Sequence, residues 1–126
     1  MTKGVTVKRL LSTLAVLLGI TAALTGCSSS EPVELSDDTV IIDVRTPAEF
    51  ASGHLEGAIN IDVQSADFAA QVMELDKDGD YFIYCRSGNR SGQAISQMSQ
   101  MGFSDMTNGG GVSQASDMSG IEIVTP

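Results

Sequence analysis

Tyr81-Phe82-Ile83-Tyr84-Cys85-Arg86-Ser87-Gly88-Asn89-Arg90-Ser91 is the stretch on which the fold turns. Its apolar, aromatic and β-branched beginning reads as a buried strand. The strand ends on a cysteine, crosses a short polar loop and enters a helical pattern. The apolar stripe of that helix is Ala94, Ile95, Met98 and Met101, and Gly102 stops it. A thiol so placed stands at the carboxyl end of a strand and the amino end of a helix. Backbone N–H groups and the helix dipole favour an anion there and lower a cysteine pKa from its ordinary value of about 8.5. Arg86 and Arg90 add positive charge within a few residues. The arrangement suits a nucleophile.

Upstream, Val40-Ile41-Ile42-Asp43-Val44 is apolar enough for a strand covered on both faces, as in a parallel sheet. Thr46-Pro47-Ala48-Glu49 then starts a short helix: threonine caps, proline takes the first turn and glutamate follows three residues after the cap. Gly53 ends it. Gly53 to Gly57 reads as a turn, Ala58 to Ile61 as a short strand, and Ser65 to Leu75 as a helix spaced by Phe68, Val72 and Leu75. Asp76-Lys77-Asp78-Gly79-Asp80 has acids at alternate positions, but a calcium loop needs a closing glutamate and flanking helices. Strand-like residues follow instead, so an acidic turn is expected. Downstream, Phe103 to Thr107 is a candidate strand, Asn108-Gly109-Gly110-Gly111 a tight turn, and Val112 to Pro126 is weakly patterned. Strands alternating with short helices predict an α/β fold around a mostly parallel sheet. Such sheets bind ligands beyond the carboxyl ends of their strands, where Cys85 lies.

The amino terminus has a different character. Lys3, Lys8 and Arg9 precede an apolar run from Leu10 to Leu24 that is short for a membrane-spanning helix, and small residues follow. This is the pattern of an export signal over residues 1–26. It ends Leu24-Thr25-Gly26-Cys27, which resembles a bacterial lipobox and implies lipid on Cys27. Residues 27–38, polar and acidic, then read as a flexible tether, and 39–126 as the domain. A disulfide between Cys27 and Cys85 is the competing use of the two cysteines in an exported chain; lipidation would leave Cys85 as the sole thiol. The sequence holds 7 basic and 16 acidic side chains, and none of the acids lies in the signal. So acidic a chain is repelled by nucleic acid. No zinc-type Cys/His spacing, heptad or repeat is present.

Three segments together resemble the rhodanese (sulfurtransferase) family. They are Asp43-Val44-Arg45-Thr46-Pro47-Ala48-Glu49-Phe50 leading into Gly53-His54-Leu55-Glu56-Gly57-Ala58-Ile59-Asn60, the loop from Tyr84 to Ser91, and Gly109-Gly110-Gly111. The resemblance implies a rhodanese-like fold, a small central, mostly parallel sheet with helices on both faces. It also implies a reaction in which Cys85 accepts a sulfane sulfur as a persulfide. The donor would be a small anion such as thiosulfate, or a persulfide or polysulfide, and the acceptor a thiol or cyanide. Backbone N–H groups of Arg86, Ser87, Gly88, Asn89, Arg90 and Ser91 would surround the outer sulfur, with Arg86 and Arg90 attracting the donor. Asp43, Arg45 and Glu49 match supporting positions, and His54 a turn histidine. No cofactor or metal is implied. The family's tryptophan after the glycine turn is missing, and Ala115 or a neighbour stands there. A loosely packed last helix and an open rim are therefore expected.

Loop length separates two chemistries. Related phosphatases use Cys-x5-Arg, a ring wide enough for phosphoryl oxygens; Cys85 to Arg90 is Cys-x4-Arg, a tighter ring suited to one sulfur atom. The alternative of another class is a non-catalytic rhodanese-homology module at the cell envelope, binding a partner or sensing sulfide. Thiol–disulfide exchange lacks a second free cysteine to resolve a mixed disulfide.

Overall fold

The computed structural model describes residues 31–126. The expected signal segment and the expected lipidation of Cys27 fall outside the described residues, as does any pairing that would involve Cys27. The central strand β4 (Asp80–Cys85) is hydrophobic because both of its faces are covered. Its side chains alternate: Tyr81, Ile83 and Cys85 enter one core, while Phe82 and Tyr84 enter another. Burying each large apolar side chain contributes about 1.5–3 kcal/mol, so this strand anchors both layers. Strand β1 (Val40–Asp43) lies beside it in parallel, with Ile42 opposite Ile83 and Asp43 opposite Tyr84.

The first core is closed by two helices, α2 (Phe68–Met73) through Phe68 and Val72, and α3 (Asn89–Gln100) through Ala94 and Met98. The second is closed by α4 (Val112–Ser119) through Ala115, and by Leu55 of the two-residue strand β2 (His54–Leu55). Helices therefore cover both faces of a four-stranded sheet, in the order β3 (Ile59–Asn60), β1, β4, β5 (Asp105–Gly111). Every pairing in it is parallel. Between β1 and β3, α1 (Pro47–Ala51) begins as its sequence indicates, with the Thr46 hydroxyl accepting the Glu49 N–H at 3.3 Å.

Three local expectations are corrected. Asn108 to Gly111 is not a tight turn but the end of β5, where a bulge makes Gly109 an extra residue between the pairs Ile83–Asn108 and Tyr84–Gly110. A Cβ on Gly109 would stand 2.6 Å from Phe82 Cζ, so the strand can pass this ring only as glycine. His54–Leu55 is not turn alone: as β2 it pairs antiparallel with β6 (Ile123–Val124), which arises in the weakly patterned last residues. The last helix is not loosely seated either. Ala115 is fully buried beside Phe82, with Val112 and Met118 packed around it. A small side chain does this work because Gly109 lets the strand come close.

Two described residues upstream of β1 are held against the domain. The Val33 N–H donates to Met118 O at 2.8 Å, and Leu35 packs on the second core. The acidic stretch after α2 closes as a turn, with Asp78 N–H on Asp76 Oδ1 and the Tyr81 hydroxyl on Asp76 O.

Candidate functional site

Cys85 ends β4, and the chain leaves it through Arg86 and Ser87 into Gly88, the N-cap of α3. Gly88 has φ +89°, a left-handed conformation that side chains resist, and this turns its N–H back onto the Cys85 sulfur at 2.9 Å. The Ser91 hydroxyl stands 3.4 Å from the same sulfur. Among the described residues Cys85 is a free thiol, and it has no exposed surface. Burial pushes its pKa up, but hydrogen bonds from the Ser91 hydroxyl and from the N–H groups of Ser91, Ser87 and Gly88 outweigh it, and the net shift is downward. The sulfur belongs to the first core by position and to the loop by its bonds.

The loop is held from behind by a residue the sequence reading passed over. Asn108, at the bulge of β5, accepts from Ser91 Oγ at 2.7 Å and from Gly110 N–H at 2.9 Å, and its Nδ2 donates to Gly88 O at 3.2 Å. Its place inside a glycine run read as a turn hid it; the signal was an amide next to that run.

The two loop arginines part company. Arg90 Nη2 meets Glu49 Oε2 at 2.8 Å, so α1 and the first turn of α3 are tied together and the Arg90 charge is offset. Among the described residues Arg86 forms no ion pair. It is exposed, and with Ser87 it lines a cleft of about 410 Å³ whose other wall is Gly111 and the first turn of α4, from Val112 to Gln114. Asn89 is exposed beside it.

The remaining supporting residues gather elsewhere, at the end of β1. Asp43 and Arg45 form a buried ion pair at 2.6 Å, and Arg45 also donates to Gly53 O at 2.6 Å. Burial alone would lower the guanidinium pKa; Asp43 more than reverses this. The Arg45 guanidinium lies over the Tyr84 ring, 5.9 Å from its centre, and the Tyr84 hydroxyl accepts Leu55 N–H at 3.0 Å. Burial pushes the Tyr84 phenol pKa well up. His54 stacks on Phe50 at 3.7 Å, and its Nδ1 is 2.8 Å from Phe50 O. It is engaged with its own turn. Of the four supporting residues, only Glu49 reaches the loop, and it does so through Arg90.

Comparison with known proteins gives the chain its relatives. A family model described as "Rhodanese-like domain" matches residues 31–114. The chain is 35% identical over 99 residues to a sulfurtransferase of Allochromatium vinosum, covering 79% of this chain and 91% of that one. It is 37% identical over 71 residues to a thiosulfate sulfurtransferase of Escherichia coli, covering 56% of this chain and 68% of the relative. Among solved structures, an Escherichia coli rhodanese with anions superposes with a TM-score of 0.58 at 32% identity, covering 70% of this chain and 99% of that one.

Proposed function

The chain belongs to the rhodanese-like domain family, and on that premise we propose that it is a sulfurtransferase working through a persulfide on Cys85. The thiolate attacks the outer sulfur of a small anionic donor such as thiosulfate. A new S–S bond forms, the donor's own S–S bond breaks, and sulfite leaves with the electron pair. A thiol or cyanide acceptor then attacks the outer sulfur, and Cys85 departs as thiolate. Loop N–H groups serve the anionic sulfur at each stage, and Arg86 in the cleft draws the donor. Because Cys85 is wholly covered, the loop that carries the exposed Arg86, Ser87 and Asn89 must shift for a donor to reach it. The export signal and lipobox pattern support a domain held at a membrane on the outer side, lipidated at Cys27.

The observation that carries this reading is the Gly88 N–H on the Cys85 sulfur, 2.9 Å away, in a loop with a net lowered thiol pKa. Thiosulfate alone should add one sulfur to the Cys85 peptide by mass spectrometry, and cyanide should then remove it as thiocyanate. Neither should occur in Cys85→Ser. A wild-type protein that gains no sulfur sinks the proposal. The second reading, a non-catalytic module, is favoured by the covered thiol. It predicts alkylation by iodoacetamide with a pH midpoint at or above the ordinary thiol value.

A further inference from the structure

Ser91 has one hydroxyl hydrogen and three neighbours: Asn108 Oδ1 at 2.7 Å, Gly88 O at 3.0 Å and Cys85 Sγ at 3.4 Å. Two of these can only accept. The Asn108 amide is oriented by backbone groups that have no choice of role, since Gly110 N–H points at its oxygen and Gly88 O faces its nitrogen. The nearest and best acceptor for the Ser91 hydrogen is therefore Asn108. With the hydrogen there, Ser91 shows lone pairs to the sulfur and can receive the Cys85 S–H. When Cys85 ionises, that bond vanishes and the sulfur becomes the strongest acceptor in reach.

The hydrogen can turn to the sulfur at little cost because neither abandoned oxygen is left bare. Asn108 Oδ1 keeps Gly110 N–H, and Gly88 O keeps Asn108 Nδ2 together with Gly92 N–H at 3.1 Å. We infer that Asn108 is a positioning residue that acts through Ser91, forming with it a two-position hydroxyl switch: the hydrogen rests on Asn108 when Cys85 is a thiol and on sulfur when it is a thiolate. This deepens the sulfurtransferase reading and rests on it for its purpose, but not for its test. The downward shift of the Cys85 pKa, to which the Ser91 hydroxyl contributes, agrees with it.

The charged groups on the surrounding elements would enter any such titration. They are Arg86 and Arg90 on the loop and α3, Glu49 of α1 paired with Arg90, and Asp43 paired with Arg45 at the end of β1. Asp62, after β3, accepts from its own turn at Gln64 N–H. Asp80 and Asp105 stand at the far ends of β4 and β5. None of these is changed by substituting Asn108.

The test is the pH dependence of iodoacetamide alkylation of the Cys85 peptide in the full chain, which needs no sulfur donor. Ser91→Ala should raise the midpoint and slow alkylation on the acid side by roughly three- to tenfold, the worth of one hydrogen bond. Asn108→Ala releases the hydroxyl hydrogen to the sulfur and should move the midpoint down. That shift should vanish in a Ser91→Ala background. An Asn108→Ala midpoint that is unchanged or raised overturns the switch and leaves Asn108 a simple brace for the loop. So does an Asn108→Ala shift that persists without the Ser91 hydroxyl. Sulfur loading that fails while this shift appears would count against the reaction and not against the switch.

Discussion

Two corners stand side by side at the carboxyl ends of neighbouring parallel strands, and they use charge in opposite ways. At the end of β1, Arg45 spends its donors inside the protein, on Asp43 and Gly53 O, with Tyr84 beneath it. At the end of β4, the loop aims its donors at a sulfur, and Arg86 beyond it stays out of any ion pair among the described residues. The same place in a parallel sheet thus yields a brace in one strand and a cradle around a thiol in the next. What separates them is whether the polar groups satisfy one another or converge on a single ionisable atom.

Breaking the brace should have the largest effect on stability. Arg45→Leu leaves Asp43 buried without its partner and should cost about 3–5 kcal/mol, read as a lowered denaturant midpoint. Sulfur loading of Cys85 should persist in the fraction that stays folded. Equal loss of loading in fully folded protein would show that the two corners act as one.

A smaller effect is expected in the loop. Gly88→Ala forces a side chain into φ +89°, and the new Cβ would lie 3.3 Å from Gly110 Cα, at a cost of about 1–2 kcal/mol. The turned N–H would be displaced from the sulfur, so the alkylation midpoint should rise. The folded thiol pKa is depressed, so its contribution to stability is present above the unfolded pKa and is lost as pH falls through the folded one. The deficit of Gly88→Ala should accordingly widen as pH climbs through that window. A deficit flat in pH would put the whole cost in backbone strain.

Smallest is the latch between the corners. Glu49→Gln removes a partly exposed pair worth no more than about 1 kcal/mol, so the denaturant midpoint should barely move. Freeing Arg90 beside Arg86 should lower the KM for thiosulfate by roughly two- to fivefold at low ionic strength, and by less in high salt. A raised KM would instead make the latch part of the loop's binding shape.

The features written in contiguous residues were legible beforehand. The apolar runs of β1 and β4, the Thr46-Pro47 helix start and the Met98 stripe of α3 each announce an element over several positions. Cys85, its loop and its arginines are adjacent in sequence and were read together. Hidden were features made by distant partners or by very few residues. The strands β2 and β6 are two residues each, too short for any periodicity. The bulge at Gly109 exists because Phe82 needs the space, and Asn108 matters only once β5 lies beside the loop. Glu49 finds Arg90 across a gap that sequence cannot measure.

The pairing of His54–Leu55 with Ile123–Val124 joins segments separated by most of the described chain. A nascent polypeptide, emerging amino end first, therefore leaves the backbone edge of that bend unpaired long before its partner strand has been synthesised. Chaperones would meet the molecule with this seam open, and any delay in producing the closing ribbon lengthens its exposure to misassembly.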